Sequence, residues 1–185
     1  MLEDKIKWNT RYKNNKMPNN PSDILVKFQN LLSGGVALDI ACGNGRNTKF
    51  LADRGFMCDG IDISDEALKL IVNPNINTHC LDLDICDLKK NMKKLYDVVI
   101  NFYFLDRKIL RTIPDLLKND GLVFIETFID DEEYKGNIEA RKILEQGELQ
   151  KVFQGFKVIL NEEKWIIRDR GERAKIISFV AQNKL

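Results

Sequence analysis

Five short apolar runs alternate with polar, helix-like segments, and this alternation constrains the fold more than any other feature of the chain. The first run, GVALDIAC, is bounded by glycines, which is typical of a strand buried on both faces of a sheet. The five runs occupy residues 35–42, 57–63, 76–83, 95–104 and 121–128. Strands separated by helices predict a doubly wound, mostly parallel α/β sheet.

The segments between these runs carry helix start and stop signals. Ser64 precedes two acidic residues and predicts an N-cap, whereas Gly55 predicts the end of the preceding helix. Pro114 is expected to break the helix after the fourth strand and to open a second short one. Residues 2–13 are expected to form a short helix, and residues 130–150 are charged and mostly helix-like.

The C-terminal part differs because two strand-like runs follow each other directly. Residues 156–182 predict two strands joined by a polar, glycine-containing hairpin. We therefore expect a Rossmann-like, seven-stranded, mostly parallel sheet that ends in an antiparallel hairpin. One domain is expected over residues 1–185, with a helical cap at 1–33, a ligand-binding core at 34–128 and a substrate-side segment at 129–185.

Length and charge exclude several classes of protein. The chain has 185 residues, of which 44% are hydrophobic, and this suffices for one ordinary core. Lys and Arg number 29 against 28 Asp and Glu, so the formal net charge is +1. A chain this close to neutral lacks the broad basic footprint of many nucleic-acid proteins and of polybasic membrane binders. Nucleic acid is therefore an unexpected partner.

The N-terminus and the cysteines bear on location and on metals. MLEDKIKWNTRY contains no apolar core of a secretory signal, and no run approaches about 18 apolar residues, so we expect a cytoplasmic protein without a membrane partner. The cysteines form no CxxC pair, and His79 is the only histidine, so no metal is expected. We expect small, buried, reduced cysteines at Cys42, Cys58, Cys80 and Cys86.

The carboxyl ends of the first three strands each carry a group suited to a ligand. Gly43 and Gly45 allow a tight turn and a close approach of the backbone to a ligand. Asp62 ends the second strand, where a carboxylate can accept hydrogen bonds from both hydroxyls of a ribose. Asp82 ends the third strand, where it can accept from an adenine amino group. Because these ends meet at one edge of the sheet, together they predict an adenosine site.

Phosphate binding is not supported. The dinucleotide pattern GxGxxG requires glycine at position 48, where Thr48 stands, and the chain has no Walker lysine–serine pair. Asp39 lies just before the glycine loop, where a carboxylate would repel phosphates and suit a cationic ligand. The sulfonium or the amino group of S-adenosylmethionine fits this requirement.

Several segments resemble one family of enzymes. The run LDIACGNGRN, taken with Asp62, Asp82 and the strand YDVVINFYF, resembles the class I S-adenosylmethionine-dependent methyltransferases. WNTRY at residues 8–12 and the stretch CGNGRNTKFLADRG are similar to segments of small bacterial members of the tellurite-resistance type. FLDRKIL, GLVFIETF and ILEQGELQKVFQGFKVILNEE also look like segments of that group, so the resemblance covers nearly the whole chain. It departs at Ala41, where many members carry glycine.

This resemblance implies S-adenosylmethionine as cofactor and a methyltransferase activity. It implies contact with the methionine part of the cofactor for Asp39, Ala41, Gly43, Gly45 and Asn101. It implies contact with the adenosine part for Asp62, Ile63, Asp82 and Leu83. It implies closure over the cofactor for Trp8, Arg11 and Tyr12. Arg46, directly after the loop, is counted with the cofactor site, although it can equally anchor an anionic acceptor or cap a helix.

Methyl transfer from a sulfonium needs little acid–base chemistry. It is an in-line displacement with a neutral leaving group, so such an enzyme mainly aligns the reactants and excludes water. A general base is needed only when the nucleophile arrives protonated. Tyr103, Asp106 and Glu126 are the candidates near the expected site, and each can equally be structural.

Three functions are compatible with this pattern. The preferred one is a small-molecule methyltransferase, because no further recognition domain accompanies the expected site. A nucleic-acid base methyltransferase is the first alternative, because residues 101–104 faintly resemble the [ND]PP[YFW] signature. However, its two prolines are missing, and the net charge supplies no field for phosphates. The second alternative is a protein that binds S-adenosylmethionine without transferring a methyl group.

Overall fold

The chain folds around a single sheet. The structure is a computed structural model, and it describes residues 2–14, 17–133, 138–168 and 171–184. The strands within these residues are β1 (Gly35–Ile40), β2 (Phe56–Asp62), β3 (Ile76–Cys80), β4 (Tyr96–Phe102), β5 (Leu117–Phe128), β6 (Lys157–Ile167) and β7 (Arg173–Gln182). Their order across the sheet is β3-β2-β1-β4-β5-β7-β6. The pairs among β1 to β5 are parallel, and β7 is antiparallel to both of its neighbours. The predicted Rossmann-like sheet with an antiparallel C-terminal hairpin is confirmed.

The helices of the described residues are short, apart from the first. They are α1 (Leu2–Asn14), α2 (Asp23–Lys27), α3 (Arg46–Ala52), α4 (Asp65–Leu68), α5 (Leu88–Asn91), α6 (Arg107–Thr112) and α7 (Glu148–Val152). The predicted N-cap is present, because Ser64 Oγ accepts a hydrogen bond from the backbone N–H of Ala67 at 3.1 Å. Pro114 lies in the first turn of the 3₁₀ helix Ile113–Leu116, which follows α6 as predicted.

The segment 130–150 departs from the predicted helix. Within its described residues the helical parts are the 3₁₀ helix Ala140–Lys142 and the first turn of α7, and residues 134–137 lie outside the described residues. An isolated parallel bridge joins Leu144 to Ile129, and both side chains are buried. The predicted helix is therefore wrong for most of this segment, because its described residues form turns, one 3₁₀ helix and a single bridge to the end of β5. The charged composition is typical of a surface helix, but Leu144 instead packs in the core beside Ile129.

Apolar side chains cover both faces of the central strands. On one face Leu38, Ile40 and Val99 pack in the cluster that includes Ile109 of α6 and Leu149 of α7. On the other face Ala37, Val98 and Phe124 pack with Leu25 of α2 and Phe50 of α3. In the sheet Ile40 is paired with both Ile61 and Asn101, so the carboxyl ends of β1, β2 and β4 are level. The two cores therefore hold these ends at one edge of the sheet, where ligands bind in doubly wound folds.

A buried carboxylate lies within β2. Asp59 is 4% exposed, and it accepts a hydrogen bond from the Tyr96 hydroxyl at 2.8 Å. Its carboxylate also lies 2.7 Å from Lys94 Nζ and 3.1 Å from His79 Nε2. Burial alone would raise the pKa of Asp59, but the hydrogen bonds from Lys94, His79 and Tyr96 outweigh it, and the pKa is lowered.

Replacing Asp59 with Asn should lower the free energy of unfolding at neutral pH by about 1–3 kcal/mol, because Tyr96, His79 and Lys94 lose their charged, buried partner. A carboxyl group whose pKa is lowered by folding stabilises the native state above its unfolded pKa of about 3.9. That stabilisation is lost as the pH falls through the folded pKa. In urea unfolding, the difference between wild type and Asp59→Asn should therefore shrink as the pH is lowered from about 5 to about 2.

Asp53→Asn is the matched control for this substitution, because Asp53 is exposed at the end of α3. It should leave unfolding unchanged across the same pH range. A destabilisation of Asp59→Asn that stays constant at every pH would contradict the role of the charge.

Candidate functional site

The loop after β1 has a backbone that only small residues suit. Ala41, Gly43 and Gly45 have φ angles of +58°, +57° and +74°, in the left-handed region that glycine adopts at little cost. A Cβ on Gly43 would lie 2.2 Å from the hydroxyl oxygen of Tyr12, and one on Gly45 would lie 2.7 Å from Ile71. The two glycines are therefore required by conformation and by the close approach of Tyr12 and Ile71.

Asp62 at the end of β2 holds this loop. One of its carboxylate oxygens accepts the N–H of Gly43 at 2.8 Å, and the other accepts the N–H of Ser64 at 2.8 Å. Burial raises the pKa of Asp62, and these backbone hydrogen bonds oppose the rise. A carboxylate has about four acceptor sites, so Asp62 can still accept a hydrogen bond from a ligand hydroxyl.

Asp39 is the second buried carboxylate near the loop. It is 3% exposed and accepts a hydrogen bond from Thr48 Oγ1 at 2.6 Å. Burial raises the pKa of Asp39 to about 7; the Thr48 hydrogen bond opposes the rise, and the charge of Asp62 adds to it. Thr48 occupies the position at which a dinucleotide-binding loop has glycine. Its hydroxyl instead donates a hydrogen bond to the carboxylate of Asp39. A cation near the loop would favour the ionised form of Asp39.

A cavity of about 240 Å³ lies beside the ends of β2 and β3. It is lined by residues of α1 and of the two strand ends, namely Leu2, Lys5, Ile63, Cys80, Leu81 and Asp82. The structure thus places Ile63 and Asp82 beside one cavity, and their contact with an adenine stays a prediction. Leu83 is 5% exposed, and its side chain belongs to the apolar core, so only its main chain can face a ligand here.

The four cysteines differ in burial, and one of them lines this cavity. Cys42 and Cys58 are buried, as predicted. Cys80 is exposed and Cys86 is partly exposed, so the prediction that the cysteines are buried is wrong for these two. The physical reason for Cys80 is its position at the end of β3, which is the edge strand of the sheet.

Helix α1 covers the cavity through polar contacts. Asn9 Oδ1 accepts the Ser64 hydroxyl at 2.7 Å, and Asn9 Nδ2 donates to Asp65 Oδ1 at 2.8 Å. Lys5 Nζ lies 3.3 Å from the same Asp65 oxygen. No residue of α1 is buried, so this helix is held by its contacts with the start of α4 and with the glycine loop. Asn9 is a residue that sequence reasoning missed.

The three predicted closing residues lie on this helix. Tyr12 reaches the glycine loop, and its ring centroid lies 6.3 Å from that of Trp8. The guanidinium of Arg11 lies 5.2 Å from the centroid of the Trp8 ring, and Arg11 itself is exposed. Tyr12 is therefore in contact with the loop, whereas Arg11 stacks on Trp8.

A short polar segment before α2 forms the other wall of the loop. Asn44 Nδ2 donates to the carbonyl of Pro18 at 3.0 Å and to Asn19 Oδ1 at 2.9 Å. Arg46 Nη1 donates to the carbonyl of Asn20 at 2.9 Å. The predicted ligand residue Arg46 thus fixes this segment, and Asn44 is a further contributor that the sequence did not indicate.

Asn101 at the end of β4 has an unused hydrogen-bonding group. It is 1% exposed, and its Oδ1 finds no hydrogen-bond partner within the described residues. Leaving such a group buried and unpaired costs about 1–3 kcal/mol. An amino group of a bound ligand, or a water molecule bound beside the ligand, would donate a hydrogen bond to this oxygen. This orphaned acceptor lies where the resemblance predicted a cofactor contact.

A second cluster lies near the carboxyl ends of β4 and β5 and in the middle of β7. The Tyr103 hydroxyl donates to Glu126 Oε1 at 2.9 Å, and the Ser178 hydroxyl donates to Glu126 Oε2 at 2.6 Å. Lys164 Nζ of β6 lies 3.7 Å from the latter oxygen. Burial and the neighbouring Glu126 raise the pKa of Tyr103 well above its usual range. Sequence reasoning found Tyr103 and Glu126. It missed Ser178 and Lys164, because these two residues are far from Glu126 in sequence although their strands lie close to β5 in the sheet.

Asp106 and Arg107 have structural partners. Asp106 is the N-cap of α6, and its carboxylate accepts the N–H of Ile109 at 2.8 Å. Arg107 Nε lies 2.8 Å from Glu148, and its other nitrogens donate to the carbonyls of residues 141 and 143. Helix capping accounts for the position of Asp106, and its catalytic role stays a prediction.

Comparison with known proteins identifies the family. The model of the methyltransferase domain family matches residues 13–166, which is most of the chain. The chain belongs to this family. Its fold is also that of TehB from Haemophilus influenzae, with a TM-score of 0.75 at 17% identity over 97% of this chain and 67% of that one. A SAM-dependent methyltransferase from Methanosarcina mazei has a TM-score of 0.61 at 17% identity, over 86% of this chain and 97% of that one.

Curated relatives of this methyltransferase-domain chain are more similar in sequence but match only in part. The ubiquinone biosynthesis O-methyltransferase of Coxiella burnetii is 26% identical over 113 residues, which is 55% of this chain and 47% of that protein. The protein of the same name from Nitrosomonas europaea is 28% identical over 105 residues, covering 52% and 45%. The chain thus spans about half the length of the curated relatives it matches. Among the described residues, no helix has the length and apolar character needed to cross a bilayer.

Replacing Asp39 with Asn should change how the stability of the ligand-free protein depends on pH. An acid whose pKa rises on folding keeps a proton that the unfolded chain loses between about pH 3.9 and its folded pKa. Wild-type stability should therefore fall as the pH rises through this window, which ends at about 7 for Asp39. Asp39→Asn should reduce this fall, and Asp62 should account for what remains, because its pKa is also raised.

Urea unfolding at about pH 5 and about pH 8 measures this effect. Asp53→Asn, at an exposed position, should keep the wild-type pH dependence. If Asp39→Asn lost the same stability at both pH values, burial of the charge would not be the cause.

Proposed function

We propose that this protein binds S-adenosylmethionine across the carboxyl ends of β1 to β4 and transfers its methyl group to a small-molecule acceptor. The observation that carries the proposal is the buried, unpaired Oδ1 of Asn101 at the same sheet edge as the Asp62-bound glycine loop. Membership of the methyltransferase domain family supports it.

The residues of the site fit the parts of this cofactor. Asp62 accepts hydrogen bonds from the ribose hydroxyls through its free lone pairs. Ile63 and the carboxylate of Asp82 flank the adenine in the cavity under α1, with the main chain of Leu83 beside them. In this arrangement α1 covers the adenosine part and keeps water from it.

The remaining groups suit the cationic methionine part. The ammonium donates to Asn101 Oδ1, and the buried carboxylate of Asp39 stabilises positive charge near the loop. Ala41, Gly43 and Gly45 let the backbone approach the ligand closely, while Tyr12 and Trp8 close the site above it. Arg11 is the proposed partner of the cofactor carboxylate, and Arg46 fixes the wall beside the loop.

Positioning is the main contribution of the protein to the reaction. When bound, the cofactor supplies a methyl group attached to a sulfonium sulfur, and the rest of the cofactor is then the neutral thioether leaving group. The chain aligns the acceptor against this methyl group and excludes water from the site. Tyr103, Asp106 and Glu126 remain the proposed acid–base residues, and the first and third already share a hydrogen bond.

A small acceptor is proposed for two reasons. The formal net charge of +1 supplies no broad basic surface for a nucleic acid, and we propose that residues 1–185 form one domain that binds both substrates. The names of the curated relatives specify an oxygen acceptor for those proteins, so oxygen nucleophiles are the first to test here.

Calorimetry tests the cofactor site directly. Wild type should bind S-adenosylmethionine and S-adenosylhomocysteine, and Asp62→Ala should weaken both by about 100-fold, because two hydrogen bonds to a charged group are lost. Asp53→Ala should bind like wild type. A folded Asp62→Ala protein with unchanged affinity would show that the ribose is not bound at β2.

Transfer of a radiolabelled methyl group tests the activity. Wild type incubated with labelled S-adenosylmethionine should methylate at least one member of a panel of phenols, thiols, amines and oxyanions. Asn101→Ala should retain little of this activity and should bind the cofactor more weakly. Transfer to RNA or DNA alone, with none to the panel, would contradict a small acceptor.

A further inference from the structure

We infer that the acceptor carries an ionisable aromatic hydroxyl, and that Tyr103 and Glu126 relay its proton away from the acceptor oxygen. This inference rests on the proposed methyl transfer and adds the class of acceptor and the path of its proton.

The direction of one hydrogen bond carries the argument. Tyr103 has a single hydroxyl hydrogen, and it is donated to Glu126 Oε1 at 2.9 Å. The phenolic oxygen can therefore only accept a further hydrogen bond, so it selects a partner that brings a proton. Tyr103 is 42% exposed, so an acceptor molecule can reach it.

Glu126 is fixed as the terminal proton acceptor of this pair. It is 6% exposed, and its second oxygen accepts the Ser178 hydroxyl at 2.6 Å. Because Ser178 occupies Oε2, the carboxylate keeps Oε1 directed at Tyr103. Lys164 Nζ lies 3.7 Å from Oε2, on the side away from the tyrosine bond.

The backbone also holds Tyr103 over Glu126. Tyr103 has a φ angle of +57°, which is unusual for a residue with a Cβ, and its N–H donates to the carbonyl of Glu126 at 2.7 Å. A strained residue tied twice to one partner indicates a functional position. Tyr103 follows Asn101 by two residues, so its backbone lies at the sheet edge where the cofactor is proposed to bind.

The proton and electron balance closes within the site. The acceptor hydroxyl gives its proton to Tyr103 Oη while Tyr103 gives its own proton to Glu126 Oε1. The acceptor oxygen uses its electron pair to bond the methyl carbon, and the pair of the broken carbon–sulfur bond stays on sulfur. One positive charge on sulfur and one negative charge on Glu126 disappear together, so the net charge of the site is unchanged.

The acidity of the acceptor favours a phenol over an aliphatic alcohol. A phenol has a pKa of about 10, far below that of an aliphatic alcohol, so it gives its proton to the relay at a smaller cost in free energy. The surroundings agree, because the Phe128 ring lies 5.6 Å from that of Tyr103 at an angle of 58°. Together these two rings form an aromatic wall beside the hydroxyl.

The experiment compares a nucleophile that brings a proton with one that does not. Wild type, Tyr103→Phe and Glu126→Gln are assayed for methyl transfer to catechol and to iodide. Transfer to catechol should fall about 100-fold in both variants, the usual contribution of a general base, and transfer to iodide should be unchanged. Ser178→Ala should lower the rate of transfer to catechol by a smaller factor and should leave the rate of transfer to iodide unchanged. Tyr96→Phe, which removes a hydroxyl outside the site, should keep wild-type rates.

Binding provides a readout that does not depend on turnover. With S-adenosylhomocysteine present, wild type should bind phenol about tenfold more tightly than anisole, which has no hydroxyl hydrogen. Tyr103→Phe should bind the two with equal affinity. The variant should fold normally, because it loses one oxygen from a half-exposed side chain.

The outcomes separate the relay from the proposed function. Failure of wild type to bind S-adenosylhomocysteine would overturn both. Normal cofactor binding with no preference for phenol over anisole would overturn the relay alone. Equal losses for catechol and iodide in Tyr103→Phe would assign that residue a structural role, and turnover limited to amines or oxyanions would reject the aromatic hydroxyl.

Discussion

The two backbone hydrogen bonds accepted by Asp62 hold the proposed cofactor site together. They join the loop after β1 to the end of β2 and to the start of α4. Ser64, which supplies one of these bonds, also caps α4 and binds Asn9 of α1. The covering helix is therefore placed by the same carboxylate that is proposed to bind the ribose. A site of this kind forms only where the strand ends are level, as the pairing of Ile40 with Ile61 and Asn101 makes them.

The ligand-free site keeps two carboxyl groups under conditions that disfavour their charge. Burial raises the pKa of both Asp39 and Asp62, and their proximity adds to the rise for Asp39. A cationic ligand reverses this preference, because it stabilises the ionised forms. Burying these carboxylates without a cation costs free energy. A bound cation removes that cost, and this gain adds to its binding affinity. Asn101 is proposed to act in the same sense, since its oxygen has no partner within the described residues and a bound donor would supply one.

Local features of the chain were predictable, and features that depend on strand register were not. The strands β1 to β5, the Ser64 cap, the glycine loop and Asp62 follow from short patterns that each lie within a few residues. The contact of Glu126 with Ser178 depends on the antiparallel pairing of β5 with β7 across 52 residues of sequence. The helix predicted for residues 130–150 was wrong for a different reason. Its charge pattern is typical of a surface helix, whereas turns and the bridge of Leu144 to Ile129 set the conformation of the described residues. The predicted burial of Cys80 was wrong because a strand-like sequence does not indicate whether the strand lies at the edge of its sheet.

The topology separates the two halves of the proposed reaction. The groups proposed for the cofactor lie on α1 and at the carboxyl ends of the parallel strands β1 to β4, whereas Glu126, Ser178 and Lys164 lie on β5 and the antiparallel hairpin. Tyr103 connects them, because it follows β4 and bonds to Glu126 of β5. Changes in the hairpin can therefore alter the acceptor groups while the hydrogen bonds of Asp62 and the loop stay intact. This division gives a physical reason why one cofactor-binding edge can serve many acceptors, and why the acceptor must be inferred from the hairpin and not from the glycine loop.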